Sequence, residues 1–209
     1  MSVIGKLASS VGRKDEEPNV ALAQAIADEG DSDAVQELVD HLRSKNKDIR
    51  SDCIKVLYEI GAIEPKLISG HLSAFALLLD DKNNRLVWGA MTAIDAIALT
   101  LPDDVYVLLP DIMAAADRGS IIAKDHAVAI LIKLCSFDAY VERAFELLLG
   151  QLNVCPTNQL PTYAENALPL IHAGNKDAFS EALLGRLIEI EKDSKRKRVE
   201  KVIHKAGKR

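Results

Sequence analysis

A period of 37 residues constrains this chain more than any other feature of its sequence. Residues 49–61 (IRSDCIKVLYEIG) align with 86–98 (LVWGAMTAIDAIA), placing Cys53 over Ala90, Val56 over Ala93, Leu57 over Ile94 and Ile60 over Ile97. A further step of 37 finds Ala127, Ile130, Leu131 and Leu134, and another finds Ala164, Ala167, Leu168 and Ile171. A fifth copy, at Val199, Val202, Ile203 and Ala206, fits after a shift of two residues. Apolar residues at offsets 0, +3, +4 and +7 form the buried stripe of an amphipathic helix. A small residue at offset 0 lets a neighbouring helix approach closely.

The same frame governs the segments upstream. Val35, Leu38 and Leu42 match Leu72, Phe75 and Leu79, then Leu109, Ile112 and Ala116. Each unit therefore holds an A helix and a B helix joined by a polar turn. Pro65 and Pro102, also 37 apart, stand before A helices, where proline opens a helix but cannot continue one. Two short helices cannot bury their stripes alone, so neighbours must stack around a shared core. The expected fold is all-α, a right-handed α-α superhelix (solenoid) of about five two-helix repeats. It divides as capping helices in 1–31, repeats at 32–64, 65–101, 102–138 and 139–174, and a C-terminal repeat with a basic tail at 175–209. Within the caps, helices are expected near 3–9, 19–28 and 195–205. Pro161 and Pro169 should shorten or kink the fourth B helix.

The two-helix unit, the proline near its first helix and the B-helix pattern of 49–60 and 86–97 resemble the HEAT-repeat family and its armadillo relatives. The resemblance covers about residues 18–209. The family's Asp/Arg turn pair is clear only in Asp48 and Arg50. In such arrays the B helices line a concave face, which the resemblance places on the positions outside the stripe. Those positions supply Asp52, Lys55 and Tyr58, then Trp88, Thr92 and Asp95, then Asp125 and His126, and finally Tyr163 and Asn166, with Arg85 beside them. Aromatic residues flanked by polar groups are typical anchors for a partner. Trp88 equally well packs over a neighbouring helix, and Tyr58 and Tyr163 suit half-buried packing positions.

Composition narrows the function. The chain has 209 residues, 48% apolar, which excludes disorder for most of its length. No stretch approaches the roughly 18–20 apolar residues that a bilayer span requires, and the N-terminus lacks the apolar core of a secretory signal. Cys53, Cys135 and Cys155 form no CxxC pair and read as reduced intracellular thiols, hence a cytoplasmic protein. Cys53 and Cys135 suit packing positions. Cys155 falls in a loop, as a reactive or a packing thiol. Neither GxxxxGK[ST], GxGxxG nor HExxH occurs, and the five histidines (His41, His71, His126, His172, His204) are scattered. Asp125 and His126 are adjacent, and adjacent helical residues diverge by about 100°. No catalytic residue, metal site or cofactor is expected.

The net charge of −5 hides a segregation. Residues 192–209 carry nine Lys/Arg and two acids, and the preceding 191 residues carry 17 bases and 29 acids. The basic tail suits a solvated helix end that complements the helix dipole, or a nucleic-acid contact through Lys195, Arg196, Lys197 and Arg198. An acidic body would confine any such contact to the tail. The expected function is a non-enzymatic scaffold that binds a peptide or protein partner on the B-helix face. The alternative is a nucleic-acid-binding protein, or a relative of the HEAT-like DNA glycosylases using the tail with Trp88, Asp95 and Asp125.

Overall fold

The computed structural model describes residues 2–209 and shows thirteen α-helices and no strand among them. The chain forms two compact units, 1–127 and 128–209. In the first, α1 (Glu17–Glu29) precedes α2 (Ser32–His41), α3 (Lys47–Ile63), α4 (Pro65–Ser69), α5 (Leu72–Leu78), α6 (Asn84–Ile97), α7 (Pro102–Val107) and α8 (Leu109–Arg118). The boundary falls within α9 (Ile121–Leu134). The second unit holds α10 (Val141–Val154), α11 (Leu160–Ala167), α12 (Lys176–Arg186) and α13 (Asp193–Ala206).

The stripe residues make the core. Cys53, Ala90, Ala127 and Ala164 at offset 0 are all fully buried, as are Val56, Ala93, Ile130 and Ala167 at offset +3. The A-helix positions Val35, Leu38, Phe75, Ile112 and Ala116 are also fully buried. Along this core α3 packs on α1, α2 and α6, and α5 packs on α6. Within the second unit α10 packs on α12, and α11 on α13.

The period reaches the helix caps as well. Asn46 and Asn83 stand 37 residues apart, each as the N-cap of a B helix. Asn46 Oδ1 accepts from the Asp48 amide at 2.9 Å, and Asn83 Oδ1 from the Arg85 amide at 3.0 Å. Such caps satisfy amides that the first helical turn leaves without partners.

The expected two-helix unit needs correction. Pro65 and Pro102 stand ahead of the A helices as expected, but each opens a separate short helix there, α4 or α7. Proline fits the first helical turn, where its missing N–H costs nothing. Two repeats therefore have three helices. In the fourth B helix, Pro169 acts as expected: α11 stops at Ala167 and continues as a 3-10 turn, Leu168–Leu170. The expected N-terminal helix near 3–9 is only a 3-10 turn, Ile4–Lys6.

Candidate functional site

The N-terminal segment settles what the first B helix can offer. Asn19, fully buried on α1, accepts from the Ala8 amide at 2.9 Å and donates to Asp52 Oδ1 at 2.8 Å. Asp52 Oδ2 accepts from the Ser9 amide at 2.8 Å. Glu16, just ahead of α1, bridges to Lys55 Nζ at 3.0 Å and to Arg85 Nη2 at 2.6 Å. Lys55 also pairs with Glu59 and lies 4.9 Å over the Tyr58 ring. Burial alone would lower the Lys55 ammonium, but hydrogen bonds with Glu59, Tyr58 and Glu16 hold it above the ordinary lysine value.

Asp52, Lys55 and Tyr58 are therefore buried components of the fold. The expectation that they project toward a partner is corrected here: Ser9 and Glu16 engage Asp52 and Lys55, and Tyr58 packs against Lys55 and Trp88. Tyr163 is corrected likewise, at 2% exposure.

A second cluster lies on the next two B helices. Trp88 is half-buried, its ring tilted 50° against Tyr58 at 5.8 Å between centroids. One turn on, Thr92 Oγ1 lies 2.8 Å from the Trp88 carbonyl and 2.9 Å from His126 Nε2 of α9. His126 Nδ1 lies 2.8 Å from Asp95 Oδ2, back on α6. The Asp95 carboxylate accepts, so Nδ1–H donates to it, and Nε2 of a neutral ring and the Trp88 carbonyl are then both acceptors facing the Thr92 hydroxyl. Threonine, histidine and aspartate stand in the order of nucleophile, base and orienting acid.

The structure thus brings Trp88, Thr92, Asp95 and His126 onto one face of two neighbouring helices. His126 takes Asp95 as its partner across the repeat, a pairing the sequence reading did not make. Asp125 is half-buried one residue earlier on α9, Arg85 is half-buried at the start of α6, and Asn166 is exposed on α11.

The basic tail is folded into the second unit. Lys195 donates to Asn158 Oδ1 at 2.6 Å, Arg196 to the Ile190 carbonyl at 2.7 Å, and Arg198 to both Glu165 oxygens at 2.9 and 2.6 Å. Lys197 is exposed. All three cysteines are buried. Burial pushes the Cys53 thiol up to about 12 and Cys135 to about 11, and it raises Cys155 too, although Arg186 opposes it there. Cys155 is a packing thiol, since attack requires the thiolate. Among the described residues no group of three or more His, Cys, Asp and Glu is placed to hold a metal ion. No helix of the described residues is long and apolar enough to cross a membrane.

Sequence reasoning missed Glu16 and Asn19, which tie the N-terminal segment down. The acidic run 15–17 was visible, but nothing local pointed from Glu16 to Arg85, 69 residues away.

No protein-family model matches the chain, and no curated protein matches it in sequence. Solved structures do match in fold. A designed armadillo repeat protein in complex with the peptide (KR)4 is similar at a TM-score of 0.66 and 18% identity, over 89% of this chain and 86% of that one. Computationally designed armadillo repeat proteins for modular peptide recognition are similar at 0.65 and 18% identity, over 88% and 86%. An engineered protein matches over the whole of both chains at 0.64 and 17% identity. The chain has the all-α helical-repeat fold of the HEAT and armadillo class.

Proposed function

We propose that the protein is a non-catalytic scaffold that docks a peptide or protein partner against its B helices. In the first unit the docking position comprises Trp88, Thr92, Asp95 and His126, with Arg85 and Asp125 beside them, and Asn166 belongs to the corresponding face of the second unit. Tyr58 supports Trp88 from beneath. The observation carrying this reading is the half-buried Trp88, backed by Tyr58 and continued across the repeat by the Thr92–His126–Asp95 hydrogen bonds. A large ring held in place loses little entropy on contact, and the polar groups beside it give direction. Peptide-binding designs sharing the fold support the same reading.

The test is affinity capture from a nuclease-treated native extract, with wild type beside Trp88→Ala/His126→Ala and circular dichroism to verify the helices. A partner retained by wild type and lost by the variant is the expected result. Equal capture by both would remove the site from Trp88. Loss of all captured protein on nuclease treatment would transfer the function to nucleic acid.

A further inference from the structure

Helix α13 presents cations along one side. Arg198, Lys201 and Lys205, spaced i, i+3 and i+7, all act on Glu165 of α11. Glu165 is held below the ordinary carboxylate range, first by its hydrogen bonds with Arg198 and then by the nearby charges of Lys201 and Lys205. Glu165 is the one charged residue within α11, and Arg198 holds it directly. Lys201 and Lys205 are exposed and pair with no carboxylate among the described residues. Asn166 is exposed beside Glu165, and Thr162 Oγ1 accepts from Arg198 at 3.3 Å.

The first unit shows how this fold engages a carboxylate. Lys55, at offset +2 of the first B helix, holds Glu16 together with Arg85. Lys201 occupies offset +2 of the last B helix, where no chain segment covers it. The spacing also suits an extended ligand. Along the helix axis Arg198, Lys201 and Lys205 are separated by about 4.5 and 6 Å, close to the roughly 6.6 Å between alternate side chains of an extended strand.

We propose that the α11–α13 face of the second unit binds an extended acidic peptide segment, its alternate carboxylates meeting Lys201 and Lys205 and its backbone meeting Asn166. This rests on the reading that the B-helix face takes a peptide. A peptide fits better than nucleic acid. The second unit has 13 Lys/Arg against 10 Asp/Glu, but the first has 13 against 21 and repels a long polyanion. Tyr163, the aromatic of α11, is buried and offers no surface for base stacking.

The test is fluorescence anisotropy with labelled (Glu-Ser)4, (Lys-Arg)4 and the oligonucleotide dT8. The full chain is compared with Lys201→Glu/Lys205→Glu and with Lys66→Glu/Lys82→Glu, which makes the same charge change at exposed sites off the row. The expected result is binding of (Glu-Ser)4 that weakens at least tenfold in the first variant, less than twofold in the second, and falls as salt rises from 50 to 200 mM. No binding of (Glu-Ser)4, equal losses in both variants, or tighter binding of dT8 overturns the proposal. If (Glu-Ser)4 fails while a captured partner still depends on Trp88, only this inference falls. If (Glu-Ser)4 binds at the row while Trp88→Ala/His126→Ala loses no partner, only the Trp88 site falls.

Discussion

Two glycines in helices show how packing and propensity trade against each other at single residues. A Cβ on Gly89 would lie 2.7 Å from Ile54 Cγ1 and 3.2 Å from its Cγ2, and Ile54 is fully buried. Alanine in place of glycine gains up to about 1 kcal/mol in a helix, whereas overpacking a full core costs about 1–3 kcal/mol. Gly89→Ala should therefore lower stability, by roughly 1 kcal/mol. Gly150 is exposed in the interior of α10, with nothing within 4 Å of an added Cβ. Gly150→Ala should raise stability by about 0.5–1 kcal/mol. Thermal or urea unfolding of the two variants must give opposite signs; equal signs would contradict the packing described around Ile54.

At the scale of elements, two clamps join helices that are distant in sequence. Arg50 of α3 donates to the Leu42 carbonyl at 2.8 Å and pairs with Asp81 in the turn before α6, where Asp81 also accepts from the Asn83 amide at 2.7 Å. Burial pushes the Asp81 carboxyl up, but the Asn83 amide and Arg50 outweigh it and hold the group below the ordinary carboxylate range. A carboxylate depressed in the folded state contributes stability above its unfolded pKa and loses it as pH falls through the folded value. Asp81→Asn should thus lower the Tm at neutral pH, and the gap from wild type should close below about pH 4. A gap unchanged by acid would contradict the ion pair. In the second unit, buried Arg186 donates to the Leu152 carbonyl at 2.8 Å and the Cys155 carbonyl at 2.9 Å, closing the end of α10. Arg186→Met strands both carbonyls and should cost about 2 kcal/mol or more in urea unfolding, while Arg186→Lys should recover part of the loss.

These clamps mark where local pattern stops being informative. The B-helix stripe was legible from Cys53 to Ile171 because its contacts recur at i, i+3, i+4 and i+7, and a 37-residue copy repeats each test. Pro65 and Pro102 announced a helix start but not its length, because a proline at the first turn fits a five-residue helix as well as a longer one. For the candidate site, Trp88, Thr92, Asp95 and His126 were identified as one face. The burial of Asp52 and Lys55 was not, because it depends on Glu16 and Ser9 folding back over α3 from outside the periodic region. Position on a helix face follows from spacing; coverage of that face depends on chain segments of no fixed spacing.

Across the whole molecule, the same repeat carries different chemistry in its two units. The first is acidic and presents Trp88 among polar side chains, and the second is basic along α13. A repeat array keeps its core constant through the stripe and varies the remaining positions, so function resides in those positions. Trp88 is the single tryptophan of the chain, which makes its emission a direct reporter of the candidate site. The most direct measurement selects a displayed random peptide library on the immobilised protein, then follows Trp88 fluorescence as each enriched peptide is titrated. The account predicts saturable changes in emission, and loss of binding by the same peptides to a folded His126→Ala/Asp95→Ala variant. Peptides that bind wild type and variant equally while leaving Trp88 emission unchanged, or a selection that enriches none, would contradict it.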